Sequence, residues 1–177
     1  MSNFFELVKR RESCRTYNAI EVEKEKLIKC IEAARLSPSA CNSQPWRFAI
    51  VTGEKGKEVA KCVQKGGMNK FTDNCPAFIV IIEEQARLLS RIAESLTSQH
   101  FAQIDIGIAT AHICYTALEQ GLSTCIIGWF DEKKLADVIG IKNPERIRLV
   151  ISVGYAESDS LRPKKRKELD DILTLIE

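Results

Sequence analysis

The sequence predicts one domain in which helices and short strands alternate around a shared core, and three observations carry that reading. Phe78-Ile79-Val80-Ile81-Ile82 is a continuous apolar run of β-branched character, the pattern of a buried central strand. On both sides of it, segments of helical period alternate with shorter strand-like runs. The length of 177 residues suits a single core, and no internal repeat or low-complexity tract breaks it up. The expectation is one domain over residues 1–177.

Composition narrows the class. Apolar residues make up 45% and charged residues 28%, as in globular chains, and no apolar run approaches a membrane span. With charges where a signal peptide would be apolar, the expected location is the cytoplasm, with no membrane partner. The cysteines at 14, 30, 41, 62, 75, 114 and 125 form no CxxC pair and no Cys/His cluster. They read as reduced thiols, mostly filling the core, with no metal site. Net charge is only +2, yet basic residues gather at both ends: Lys9, Arg10, Arg11 and Arg15, then Arg162, Lys164, Lys165, Arg166 and Lys167. No nucleic-acid motif accompanies these runs, so no nucleic-acid partner is expected. They are either solvated faces or two arms that converge on one small anion.

The elements follow in order. Residues 3–11 alternate Phe4, Leu7 and Val8 with Glu6, Lys9 and Arg10 at helical spacing. Arg11-Glu12-Ser13-Cys14-Arg15 comes next, and two guanidiniums flanking a hydroxyl make a good phosphate grip, although arginines at helix ends are common. A second helix spans about Glu23–Arg35, with Leu27, Cys30, Ile31 and Ala34 on one face. Pro38-Ser39-Ala40-Cys41-Asn42-Ser43-Gln44-Pro45-Trp46 then separates that helix from a strand at Phe48–Val51. Its two prolines stop either element from running through it, and its amides both donate and accept. Such a loop suits a flat heteroaromatic with alternating polar edges; composition alone favours an ordinary polar connection.

A third helix covers about Glu54–Gln64 and stops at Gly66-Gly67. Beyond the central strand, residues 85–99 have a helical but polar pattern. Phe101–Gln120 is the longest periodic segment. Its small residues Gly107, Ala109, Ala111 and Ala117 suit close approach of another helix, and its His112 reads as a buried, satisfied side chain. A short strand lies within Gly121–Trp129, a helix capped by Asp131 runs to Ile139, and Ile147–Tyr155 forms the last strand. The tail turns basic and ends on apolar positions Leu169, Ile172, Leu173, Leu175 and Ile176.

Four of these stretches together, in order and spanning nearly the whole chain, resemble the nitroreductase family of FMN-dependent NAD(P)H oxidoreductases. The loop matches PSxxNxQPW, Arg11–Arg15 is similar to the RRSxR element, Gly121–Trp129 to GLGSxxIGxF, and Lys164 and Arg166 to the closing basic pair. Glu12 departs from the basic or histidine residue usual at its position. The resemblance implies an α+β fold, a mostly antiparallel central sheet flanked by helices, in an intertwined homodimer with two FMN sites. It implies that Arg11, Ser13, Arg15, Lys164 and Arg166 hold the FMN phosphate from one subunit. Pro38, Ser39 and Ala40, with Asn42 and Gln44, reach the ring from the other. The backbone at Ile127 and Gly128 passes the ring, and Asn69 is the nearest match to a linker asparagine that contacts it. NADH or NADPH would reduce the flavin, and a nitroaromatic, quinone or related small acceptor would then reoxidise it by a ping-pong cycle. No side chain stands out as a catalytic acid or base, so none is assigned. A specialised enzyme of the same fold (ene-type reductase, dehalogenase or flavin-destroying oxygenase) and a non-catalytic flavin-binding protein are the alternatives. The segment from Glu84 to Gln99 is short and polar for a lid over the flavin.

Overall fold

The computed structural model of the chain describes residues 3–85, 92 and 96–177. Its helices are α1 (Phe4–Arg10), α2 (Lys24–Arg35), α3 (Gly53–Val63), α4 (Phe101–Glu119) and α5 (Glu132–Ile139). Its strands are β1 (Trp46–Thr52), β2 (Ala77–Glu83), β3 (Ser123–Ile127) and β4 (Ile147–Gly154). The predicted elements are thus found within a residue or two of their expected ends. The proposed lid segment lies largely outside the described residues. Helix ends follow from local chemistry. Asn3 Oδ1 accepts from the Phe5 N–H at 3.0 Å, Asp131 Oδ1 accepts from the Lys134 N–H at 3.2 Å, and Gly140 at φ 70° closes α5 in the left-handed conformation.

The four strands form one sheet in the order β1-β2-β4-β3, with every pair antiparallel. The fold is α+β. The apolar run of β2 is explained by its central position, since alternate side chains enter two separate cores. Phe78, Val80 and Ile82 pack with Val59 and Val63 of α3 and Leu135 of α5. Ile79 and Ile81 pack with Leu27, Cys30 and Ala34 of α2 and with Ile106, Ala109 and Ile113 of α4. Six of the seven cysteines are buried, as a set of core fillers should be, and burial pushes the Cys75 thiol up to about 12. Cys41 is the exposed exception.

The segment after α1 is laid along the sheet rather than left as a linker. Ser13 bridges to Thr124 in parallel sense, and the Cys14 N–H donates to Thr124 O at 2.9 Å. Tyr17 is buried, with its hydroxyl 2.9 Å from Ser152 Oγ, and burial pushes that hydroxyl well above its usual range. These contacts fix Arg11, Ser13 and Arg15 beside β3.

Gly154 is where this segment meets the sheet most closely. A Cβ there would lie 2.8 Å from Pro76 Cδ and 3.0 Å from Tyr17 Cδ1, and neither ring has a flexible end to move. Gly154→Ala is therefore expected to destabilise the fold by about 1–3 kcal/mol, read as a lower urea midpoint with unchanged slope. An unchanged midpoint would refute this close approach.

Candidate functional site

The two basic arms do converge. Arg11, Glu12, Ser13 and Arg15 face Arg162, Pro163, Lys164, Lys165 and Arg166 across an open cavity of about 380 Å³. All five residues predicted to grip a phosphate therefore line one space. Their surroundings refine two of the roles. Lys164 Nζ donates to Val8 O at 2.9 Å and also to Lys9 O, so it caps the last carbonyls of α1. An ammonium has three N–H groups, which leaves one for a ligand. Desolvation, then the neighbouring Arg11 and Arg166, pulls the Lys164 ammonium below its usual range. Glu12, standing where the motif has a basic residue or histidine, accepts from Arg162 Nε at 3.3 Å and from the Arg162 N–H at 3.2 Å. Arg162 belongs to the second basic arm by sequence, but its specific role comes from this long-range pair.

From the cavity β3 leads outward. Ile127 is buried in the core, whereas Gly128 just beyond it is exposed. A Cβ built on Gly128 meets nothing within 4 Å, and its φ lies outside the left-handed range. Among the described residues, neither packing nor backbone conformation calls for glycine there. The Thr124–Gly128 stretch covers about 13 Å of extended backbone. Asn69 stands alongside: its Nδ2 donates to Val63 O at 3.0 Å and to Trp129 O at 3.4 Å. The predicted asparagine is thus brought to the Ile127–Gly128 end of the strand, with its amide hydrogens spent on holding the linker there. The exposed Trp129 is pinned as well, its Nε1 donating to Lys65 O at 3.0 Å.

The Pro38–Trp46 loop has a different address. Cys41, Asn42 and Gln44 adopt positive φ of 52°, 49° and 48°, which costs non-glycine residues on the order of 1 kcal/mol or more each. The shape is held by Ser39 Oγ accepting from the Gln44 N–H at 3.0 Å, and by Gln44 Nε2 donating to Asn42 Oδ1 at 2.9 Å. The predicted ring-binding side chains thus bond one another, and Pro38 and Ala40 frame them. Asp105 of α4, a buried carboxylate, accepts from the Ala40 N–H at 3.1 and 3.2 Å. This anchor could have been suspected from the sequence, as the acid in the apolar N-terminal half of α4, Glu119 being its last residue.

Sheet geometry separates the loop from the cavity. Trp46 at the start of β1 and Ile127 at the end of β3 share one end of the sheet but lie on opposite edges. Three strand spacings, about 14 Å, divide the two edges, and the register sets Ile127 level with Ala49, so Trp46 lies a further three residues, about 10 Å, along the strand direction. The cavity, beside Ser13 and Thr124, is at the other end again.

Comparison with known proteins places this arrangement. The nitroreductase family model matches residues 8–68 and 57–155, which include the first basic arm, the loop, the asparagine linker and β3. The chain belongs to the nitroreductase family. It is 25% identical to an oxygen-insensitive NADPH nitroreductase of Helicobacter pylori over 96% of this chain and 95% of that one. A nitroreductase family protein of Streptococcus pneumoniae superimposes with a TM-score of 0.82 at 25% identity, covering 98% of this chain and 100% of its own. A protein from Exiguobacterium sibiricum, solved in complex with FMN, gives 0.83 at 23% identity over 99% and 98%.

The anchoring of the family loop by Asp105 is directly testable. Asp105→Ala leaves the Ala40 N–H without its acceptor, a loss of about 1–3 kcal/mol locally. Amide exchange at residues 40–44 should accelerate about tenfold or more, with β2 amides far less affected. Equal acceleration throughout would show a global effect instead.

Proposed function

We propose that this chain is an FMN-dependent oxidoreductase that draws electrons from NADH or NADPH and reduces nitroaromatic, quinone or related small acceptors. The observation that carries the reading is the convergence of Arg11, Ser13, Arg15, Lys164 and Arg166 from both ends of the chain on one cavity, with an open Gly128 just beyond β3. The residues fit the cofactor. A phosphate bearing nearly two negative charges needs several cationic or N–H donors, and guanidiniums supply them bidentately. At the other end, Gly128 leaves room for a planar ring to lie against the backbone. Both the Helicobacter relative named as an NADPH nitroreductase and the FMN-bound Exiguobacterium neighbour support the same assignment.

When bound, FMN accepts hydride from the nicotinamide and passes electrons to the acceptor, so the protein supplies position and field. Arg11 and Arg15 with Ser13 fix the phosphate, and Arg166 with the remaining Lys164 N–H closes the shell. Backbone at Ile127 and Gly128 would run along the ring. No proton need pass through a side chain.

The test is the visible spectrum of the purified protein and its bleaching by NADH or NADPH in the absence of oxygen, followed by reoxidation with a panel of acceptors. Arg15→Ala and Arg166→Ala should each weaken FMN binding about tenfold, since a charge-assisted hydrogen bond contributes about 1.5–3 kcal/mol, and leave riboflavin affinity nearly unchanged. A flavoprotein that nicotinamides do not bleach would be a binder rather than an enzyme.

The loop calls for a second copy of the chain. It sits on the edge of the sheet opposite its own cavity, so the motifs meet one flavin when two chains each lend what the other lacks. The surfaces suit this homodimer. Ile104 of α4 is 49% exposed beside an open Gly107, and Leu169, Ile172, Leu173, Leu175 and Ile176 of the tail are all exposed. Removing residues 168–177 is expected to loosen the dimer and release flavin together. A flavin-loaded monomer at micromolar concentration in sedimentation would exclude the two-chain site.

A further inference from the structure

Glu12 is out of place on electrostatic grounds. A carboxylate in a cavity built for a phosphate repels the ligand that Arg11, Arg15 and Arg166 attract. Its contacts supply a reason for it to be there. Glu12 Oε2 accepts from both the backbone N–H and the Nε of Arg162, at 3.2 and 3.3 Å, while Arg162 Nη2 donates to Ser13 O. Two residues on, Lys164 is bonded to Val8 O and Lys9 O. Residues 162–164 are thus stitched to residues 8–13 at both ends, with Pro163 stiffening the turn between them. No apolar core assists, for residues 157–163 and 165–177 are exposed. What keeps Lys164 and Arg166 over the cavity is this polar stitching.

We propose that Glu12, clasped to Arg162, is a positioning residue for the cofactor phosphate. It holds the 162–166 segment as a strap across the cavity, so that the C-terminal cations meet the phosphate already in place. The proposal rests on the FMN reading above and adds to it a residue that touches no cofactor atom. Half-burial of the Glu12 carboxylate supports the role: its side chain is 23% exposed, against 56% for Arg162. Because its charge is neutralised by Arg162, its repulsion of a phosphate is small, whereas a loosened strap forfeits cations and their ordering together.

The two effects have opposite signs, which makes the test decisive. Glu12→Gln removes the repulsion and should tighten FMN if repulsion dominates; it loosens the strap and should weaken FMN if the clasp does. Apoprotein is titrated with FMN and with riboflavin by flavin fluorescence, for wild type, Glu12→Gln, Arg162→Gln and the double variant. The expected result is about a three- to tenfold loss of FMN affinity for each single variant, with riboflavin altered by less than about twofold. The double variant should be no weaker than the worse single one, because both break the same link. Amide exchange across residues 162–166 in the apoprotein should also quicken in Glu12→Gln. Unchanged or tighter FMN binding by Glu12→Gln, an equal loss for riboflavin, or unaltered exchange in the strap would each overturn the clasp. Arg15→Ala separates the two levels of the argument. If it weakens FMN while Glu12→Gln does not, the clasp alone falls; if it leaves FMN binding intact, the phosphate site falls and the clasp with it.

Discussion

The strand order β1-β2-β4-β3 is the constraint on which the rest of the molecule depends. It puts β2 and β4 in the middle, where both faces must be apolar. The helices are left to divide into one pair that covers each face. It also sends β1 and β3 to opposite edges, and each edge carries a family motif. The Pro38–Trp46 loop enters β1, and the Ile127–Gly128 turn leaves β3. No adjustment of side chains can bring two edges of a packed sheet together, since close-packed interiors do not deform by the needed distance. Within one chain the loop and the Ile127–Gly128 turn therefore stay on separate edges, which supports the proposed two-chain site.

Charge is organised around the same edge. The first arm is fixed by backbone bonds to β3 and by the buried Tyr17, so Arg11 and Arg15 sit on a rigid base. The second arm is fixed by ion pairs and helix carbonyls at the surface. Exposed ion pairs contribute only about 0–1 kcal/mol each, so this arm depends on several weak links acting together. Preorganisation is consequently unequal: one arm of the cavity is set by folding, the other by local contacts such as that of Glu12 with Arg162. Lys164 illustrates the compromise, because the carbonyls that place it also take two of its three donors.

The fold was legible in the sequence wherever a side chain's period reports its burial. The continuous run of β2, the helical stripes of α2 and α3, and the Asp131 and Gly140 signals for α5 all follow from local chemistry. The candidate site was legible as motifs, yet not as geometry. Nothing in Cys41-Asn42-Ser43-Gln44 announces three positive φ values, because no glycine marks them. The conformation is imposed by the bonds of Ser39, Asn42 and Gln44 and by Asp105, 65 positions from Ala40. Asn69, Ser39 and Gln44 were expected to face a ligand; in the structure their polar groups first hold the backbone in place. Such internal use is what makes a loop rigid enough to bind anything.

Helix α4 shows how a correct pattern can hide two surfaces. Sequence reading grouped Gly107, Ala109, Ala111 and Ala117 as one small-residue contact. The structure splits them: Ala109 and Ala117 are fully buried in the chain's own core with α2, while Gly107 lies open and Ala111 is half-buried. A helix apolar on both sides cannot satisfy both within one subunit, since only one side can face the sheet. The inward alanines allow α2 to approach closely over β2. The outward stripe, with Ile104 exposed and Gly107 offering a bare backbone, is left to whatever packs against it. The exposed apolar tail poses the same problem from the other end of the chain, and the proposed homodimer, bringing a second helix and a second tail, would cover both.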